Sequence, residues 1–192
     1  MGEAKRRAAE RRQAQREEFL EEVERWSFPP SAWEAEVVAA IKALPTVTVF
    51  RPPPHMVAWA KMPPRRCFDN SDWYARQDPS RSKAVVGWLP DDVGNYTLHA
   101  VVRLLDSGEW QDWTPVVGDT RKNFSFIPDP HILQTKHDLG DRIRYVHERN
   151  GQEIRYGVRS APERTIHHSA RIKAALLAGM EPLEAVRLPY EP

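Results

Sequence analysis

NYTLHAVVRLLDSGEWQDWT, residues 95–114, carries the reading of the fold. From Asn95 to Leu105 the side chains alternate as a strand requires. Tyr96, Leu98, Ala100, Val102 and Leu104 take one face, and Thr97, His99, Val101, Arg103 and Leu105 the other. Asp106-Ser107-Gly108 is a hairpin signal, and Glu109 to Thr114 forms the returning strand. Asp112 comes back on the His99 face for a loop of two residues or of four. A two-residue loop sets it opposite Arg103, where a cross-strand ion pair is the simple outcome. A four-residue loop makes it a diagonal neighbour of His99, opposite Val101, and a bulge at Gly108 would also shift the register.

Outward from this hairpin, Ala84 to Leu89 reads as a buried strand and Thr46 to Phe50 as a β-branched one stopped by Arg51 and three prolines. Further strands are expected over Asn123 to Ile127, Arg142 to Glu148 and Glu153 to Val158, the last two joined by an Asn150-Gly151 turn. Ser31 caps a core helix through Trp33, Val37, Val38, Ile41 and Leu44, with Glu34 at the capping-box position. A C-terminal helix over His168 to Ala178 stops at Gly179. The expected fold class is therefore α+β, an antiparallel sheet packed against helices. The expected organisation is a charged helical N-terminal arm (1–28), an α+β core domain (29–160) and a C-terminal helix with its tail (161–192).

The arm lacks helix breakers from Glu3 to Trp26, and its charges are polarised. Lys5, Arg6, Arg7, Arg11, Arg12 and Arg16 precede Glu17, Glu18, Glu21, Glu22 and Glu24. Pairs such as Glu3 with Arg7 sit at i,i+4, so a solvated helix is the plain reading and contact with a protein or RNA through residues 1–26 the functional one. Net charge is only +1 over 192 residues, so the whole molecule is no polyelectrolyte seeking phosphate. One cysteine excludes an internal disulfide and a cysteine-rich zinc site. With no apolar run of membrane-spanning length and no leader pattern, a soluble cytoplasmic protein is expected, with no membrane association. No Walker or GxGxxG loop occurs, and the histidines form no HExxH pattern, so neither cofactor nor metal is expected.

The remaining chemistry centres on Cys67. A thiolate needs an imidazole to form and hold it at neutral pH, and the imidazole needs a carboxylate to fix its tautomer, so Cys67, His99 and Asp112 read as one candidate machine. Arg65 and Arg66 supply cations beside the sulfur. Pro63-Pro64 is a reasonable entry to a helix, but Asp69, Asn70 and Ser71 are each good N-caps, which would leave Cys67 just outside it. Arg65, Arg66, Trp88 and Arg103 are the candidate substrate-binding residues. For Trp88, as for Trp110 and Trp113, core packing is the favoured reading and a substrate-lining wall the minor one.

An Arg-Cys67 helix start, then Leu98-His99-Ala100 heading a hairpin, then Trp110-Gln-Asp112-Trp-Thr-Pro115, resembles the transglutaminase-like branch of the papain-like cysteine enzymes over about residues 64–130. The resemblance implies a cysteine on a helix packed against a sheet bearing histidine and aspartate. Cys67 would be the nucleophile, His99 the base and then the acid, and Asp112 the orienting group. The implied activity is hydrolysis or acyl transfer on a peptide or small-molecule amide, ester or isopeptide carbonyl. Papain-like proteases also place a glutamine shortly before the cysteine, whereas no Asn or Gln lies between Gln15 and Cys67. The oxyanion hole would then need the Cys67 N–H with another group, such as His55, Trp59 or a loop amide.

Overall fold

The computed structural model describes residues 2–115, 121–140 and 142–190. Residues 116–120, inside the region of resemblance, lie outside that description. The helices are α1 (Gly2–Arg25), α2 (Ala32–Lys42), α3 (Pro54–Trp59), α4 (Cys67–Gln77), α5 (Pro162–Leu177) and α6 (Pro182–Ala185). The strands are β1 (Val47–Phe50), β2 (Ser82–Pro90), β3 (Asn95–Leu104), β4 (Trp110–Gln111), β5 (Asn123–Pro128), β6 (Leu133–Asp138), β7 (Ile143–Arg149), β8 (Gln152–Glu153) and β9 (Gly157–Arg159). The chain divides into two compact units, residues 1–36 with 159–192, and residues 37–158. The arm and the tail, read from sequence as separate appendages, thus belong to one unit.

In that terminal unit α1 is amphipathic only at its C-terminal end. Phe19, Leu20 and Val23 pack with Ile172 and Leu176 of α5 and Ala185 of α6, which is where burying apolar area can hold an otherwise charged helix. The N-terminal half of α1 pairs largely with itself, Arg7 with Glu3 and Arg6 with Glu10. A buried ion pair ties the two chain ends together. The Arg159 guanidinium donates to both Glu34 carboxylate oxygens at 2.8 and 3.0 Å and to the Trp26 carbonyl at 2.7 Å, with Phe28 beneath it. Half of the expected capping box forms, since the Glu34 N–H donates to Ser31 Oγ at 3.1 Å. The carboxylate that would complete the box is taken by Arg159, whose desolvated charge it satisfies.

The unit of residues 37–158 is built on a mixed sheet in the order β2-β5-β1-β4-β3, with β9 beside β3. Because β2 also pairs with β3, the five strands close into a small barrel. The expected antiparallel sheet is corrected, since β1 and β4 run parallel, Val49 opposite Trp110 and Phe50 opposite Gln111. The returning limb of the hairpin is too short to occupy an edge by itself and is used to bridge β3 and β1. All five strands contribute to the interior, through Val47 and Val49, Leu89, Val101, Trp110, and Phe124 with Phe126. The opposite face of β3 presents Val102 to Met62, Trp113 and Tyr74, covered by α3 and α4.

A second, three-stranded sheet, β6-β7-β8, follows. Its β7–β8 turn is made by Asn150 and Gly151, with φ of 53° and 74°, the two left-handed residues of a tight hairpin, as the Asn-Gly pair predicts. β6 has no counterpart in the sequence reading, because Leu133–Asp138 is almost wholly polar and mostly exposed, without the alternation that betrays a half-buried strand.

Barrel closure relies on one glycine. Gly87 faces His99 across the β2–β3 ladder and Pro128 across β2–β5. A Cβ there would stand 2.2 Å from the Ile127 carbonyl oxygen and 2.9 Å from the Pro128 Cα, contacts with backbone that cannot move aside. Gly87→Ala is therefore expected to destabilise the protein by about 3 kcal/mol, the upper part of the overpacking range, in urea unfolding. A midpoint unchanged from wild type would show that the β2–β5 seam opens freely.

Candidate functional site

α4 begins at Cys67, with Arg66 as the residue before the first turn, so the open question of where this helix starts is answered in favour of the cysteine. The chain enters through Arg65, which holds a left-handed φ of 62° and redirects the backbone after Pro63-Pro64. Cys67 is partly exposed. At the first helical position its N–H and those of the next residues have no intrahelical acceptor, and the helix dipole favours negative charge there. Three positions on, Asn70 is buried inside α4 rather than capping it.

The hairpin from β3 to β4 closes at Leu104 and Glu109, leaving the four-residue loop Leu105–Gly108. Gly108, at φ 73°, supplies the left-handed corner. Pairing of Val102 with Gln111 and Arg103 with Trp110 continues to place Asp112 against Val101, diagonal to His99. The ring Nε2 of His99 lies 3.3 Å from Asp112 Oδ2, with the two side chains 12 % and 1 % exposed. This is an ion-pair contact, though not a well-aligned hydrogen bond, and Nε2 makes no better one.

Cys67 lies close enough to His99 to bear on the charge of the ring. Burial is the largest single influence on the ring and disfavours its charged form. Cys67 and Asp112 together outweigh it and push the imidazole up to about 10. Of the three residues proposed from sequence, His99 and Asp112 meet directly, and Cys67 lies near enough to affect the ring. Asp112 is held on two further sides: its N–H donates to the Phe50 carbonyl at 2.9 Å, and its Oδ1 accepts the Thr114 N–H at 2.9 Å.

The candidate substrate-binding residues fare differently. Trp88 is corrected outright. It is fully buried, its indole N–H donating to Asp129 Oδ2 at 2.8 Å, and Arg149 donates to the same oxygen, so no substrate can touch it. Arg103 lies over the Trp110 ring at 5.4 Å, and it is His99 rather than Arg103 that Asp112 meets. The Arg66 Nε donates to Asp69 at 2.5 Å, which anchors it to the first turn of α4, and Arg65 is exposed. Trp59, named for the oxyanion hole, is 83 % exposed.

Several residues near Cys67 were not singled out from sequence. The β6–β7 hairpin leans on α4: the His147 ring packs 4.2 Å from Phe68, Tyr145 5.7 Å from Phe68, and Lys136 pairs with Asp72. No local signal marks them, since their partner is 64 residues away in the case of Lys136 and Asp72. Burial depresses His147 to about 4, keeping it neutral against Gln134, whose Oε1 is 2.9 Å from its Nε2. Burial, then the nearby Asp72 and Asp69 carboxylates, pushes Tyr145 up to about 12.

A cleft of about 890 Å³ opens beside the acid, with Asp112 and Thr114 in its wall together with Pro53, Val57, Met62 and Lys122. No group of three or more metal-ligating side chains occurs among the described residues, and none of their helices is long and apolar enough to cross a membrane. Comparison of the chain with protein-family models, with curated proteins and with solved structures found no match.

The two histidines pull stability in opposite directions with pH. His99 binds its proton more tightly folded than unfolded, so its contribution is complete below about pH 6.5 and is lost as pH rises through about 10. His147 binds its proton less tightly folded, so its contribution is present above about pH 6.5 and is lost as pH falls through about 4. Urea midpoints measured from pH 4 to 10 are expected to fall at both ends. Replacing His99 with Gln should flatten the alkaline limb, and replacing His147 with Gln the acid limb. Limbs unchanged in the variants would assign the pH dependence to other groups.

Proposed function

We propose that the protein is a cysteine-dependent hydrolase or acyltransferase acting on an amide, ester or isopeptide carbonyl through Cys67, His99 and Asp112. The observation that carries this reading is a buried imidazole whose Nε2 contacts a buried carboxylate, with a partly exposed cysteine at a helix N-terminus near enough to bear on the charge of that ring. A structural cysteine needs neither partner. The order of these residues and their placement on helix and hairpin support a transglutaminase-like mode of action.

With Nε2 turned to Asp112, Nδ1 is the nitrogen left for the sulfur. His99 would already hold the proton as imidazolium, leaving Cys67 as its thiolate partner, and the thiolate would attack the carbonyl carbon, its electron pair forming the new C–S bond while the carbonyl π pair moves onto oxygen. The developing oxyanion would lie at the free N–H groups opening α4, which reach it without a glutamine before the cysteine. Collapse would expel the amine or alcohol, protonated by His99, and leave a thioester on Cys67. Water or an acceptor amine would then attack it, with His99 as base and the Cys67 sulfur as leaving group. Asp112 would hold the ring in place throughout. Arg65, at the helix entrance, is the cation proposed for an acidic substituent of the substrate. The alternative is a noncatalytic module that binds a protein or RNA through the charged arm, in which Cys67 is inert.

Native alkylation by iodoacetamide separates the two. The wild type is expected to label at pH 6.5 at least about tenfold faster than His99→Ala, with the two rates converging near pH 9.5, where thiolate forms without assistance. Equal, slow labelling of both proteins at pH 6.5 would make Cys67 structural and turn attention to deletion of residues 1–26.

A further inference from the structure

Asn70 is a primary amide with 2 % exposure in the interior of a helix, where an amide has no intrinsic advantage and a buried donor must find an acceptor. It does not bond its own helix. Its Nδ2 donates outward, to the Pro63 carbonyl at 2.9 Å and to Thr114 Oγ1 at 3.4 Å. These acceptors lie on the two segments that most need holding if Cys67 and Asp112 are to meet around one imidazole.

Pro63 opens the turn that delivers Cys67. That turn passes through Arg65 in the left-handed region, which a residue with a Cβ adopts at a cost and keeps only when its surroundings impose it. A bond from Asn70 back to Pro63 lashes the turn to the helix it precedes. Thr114, itself 5 % exposed, closes the other side: its N–H donates to Asp112 Oδ1, leaving Oδ2 to face His99. The result is a connected path, running from Cys67 along one turn of α4 to Asn70, then to Thr114, Asp112 and His99.

We propose that Asn70 is a positioning residue which, through Thr114, sets the distance between the nucleophile's helix and the carboxylate that orients the base. The inference rests on the Cys67–His99–Asp112 reading. It assigns no contact with substrate to Asn70 or Thr114 side chains. It explains why a helix that could have been capped at Asp69, Asn70 or Ser71 instead starts earlier and spends an asparagine in its interior.

Thr114→Val is the most selective test, since it keeps shape and the backbone N–H to Asp112 but removes the oxygen that receives Asn70. Iodoacetamide labelling of Cys67 is followed against pH in the full chain, in wild-type and His99→Ala backgrounds, with Thr114→Ser as the conservative variant. Thr114→Val is expected to slow labelling at pH 6.5 about fivefold, the weight of one neutral hydrogen bond, and to leave the rate near pH 9.5 unchanged. Thr114→Ser should stay within about twofold of wild type, and in the His99→Ala background Thr114→Val should have no further effect. No loss at pH 6.5, or the same loss with and without His99, would overturn the proposal and leave Asn70 a purely structural amide. If His99→Ala labels as fast as wild type, the triad reading itself fails, and this inference falls with it. Should Thr114→Val not fold, Asn70→Ser is judged by the same rates, since a single hydroxyl cannot span Pro63 and Thr114 together.

Discussion

Closure of the barrel by β2 is the constraint on which the site depends. β2 hydrogen-bonds along its whole length to β3 and, at Gly87 and Trp88, to β5 on its other edge. Such double use requires the β2 and β5 backbones to approach at a point where a side chain would collide with the Ile127 carbonyl, and glycine removes that obstacle. The inner face of β3 is thereby committed to an apolar interior, with Val101 among Val49, Phe124 and Phe126. His99 is on the same face two residues earlier, edge-on to both phenylalanines at 6.3 and 6.5 Å. Its burial follows from the closure rather than from any preference of histidine.

A buried imidazole would by itself be neutral, as His147 is. What distinguishes His99 is that Asp112 contacts it and Cys67 bears on its charge. Asp112 comes from the strand that switches partners, antiparallel to β3 and parallel to β1, so its main chain is pinned by Phe50 while its carboxylate points at the ring. Cys67 comes from α4. The second sheet braces α4 through Phe68 and Asp72, and Asn70 braces it through Pro63 and Thr114. Two histidines thus receive opposite electrostatic treatment near one helix, one favoured in its charged form and one kept neutral beside Phe68.

The N-terminal helix, the β3–β4 hairpin, the Asn150-Gly151 turn and the order Cys67, His99, Asp112 were legible because each rests on local rules: unbroken helix formers, alternation with a period of two, a turn needing two left-handed residues, and residue chemistry. Trp88 was less so, because a tryptophan beside a proposed site looks the same in sequence whether its indole faces a substrate or a buried Asp129. Glu34 matched its capping-box position, yet its carboxylate answers to Arg159, 125 residues away. A desolvated guanidinium makes a stronger claim on a carboxylate than one backbone N–H does.

By itself, the amino-acid sequence determined the α+β class, the main helices and strands, which face of β3 His99 occupies, and which three residues have the chemistry to act together. It left the hairpin loop open between two lengths, because Ser107-Gly108 alone and Leu105 to Gly108 are both acceptable turns locally. Only the tertiary structure decided for four, since β4 must also reach β1 in parallel, and that register sets Asp112 diagonal to His99. The start of α4 at Cys67 was likewise left open by local propensity, and there Asn70 bonds Pro63 and the distant Thr114 rather than capping the helix. Local rules set which conformations a segment can adopt, whereas burial and pairing with distant segments select among them.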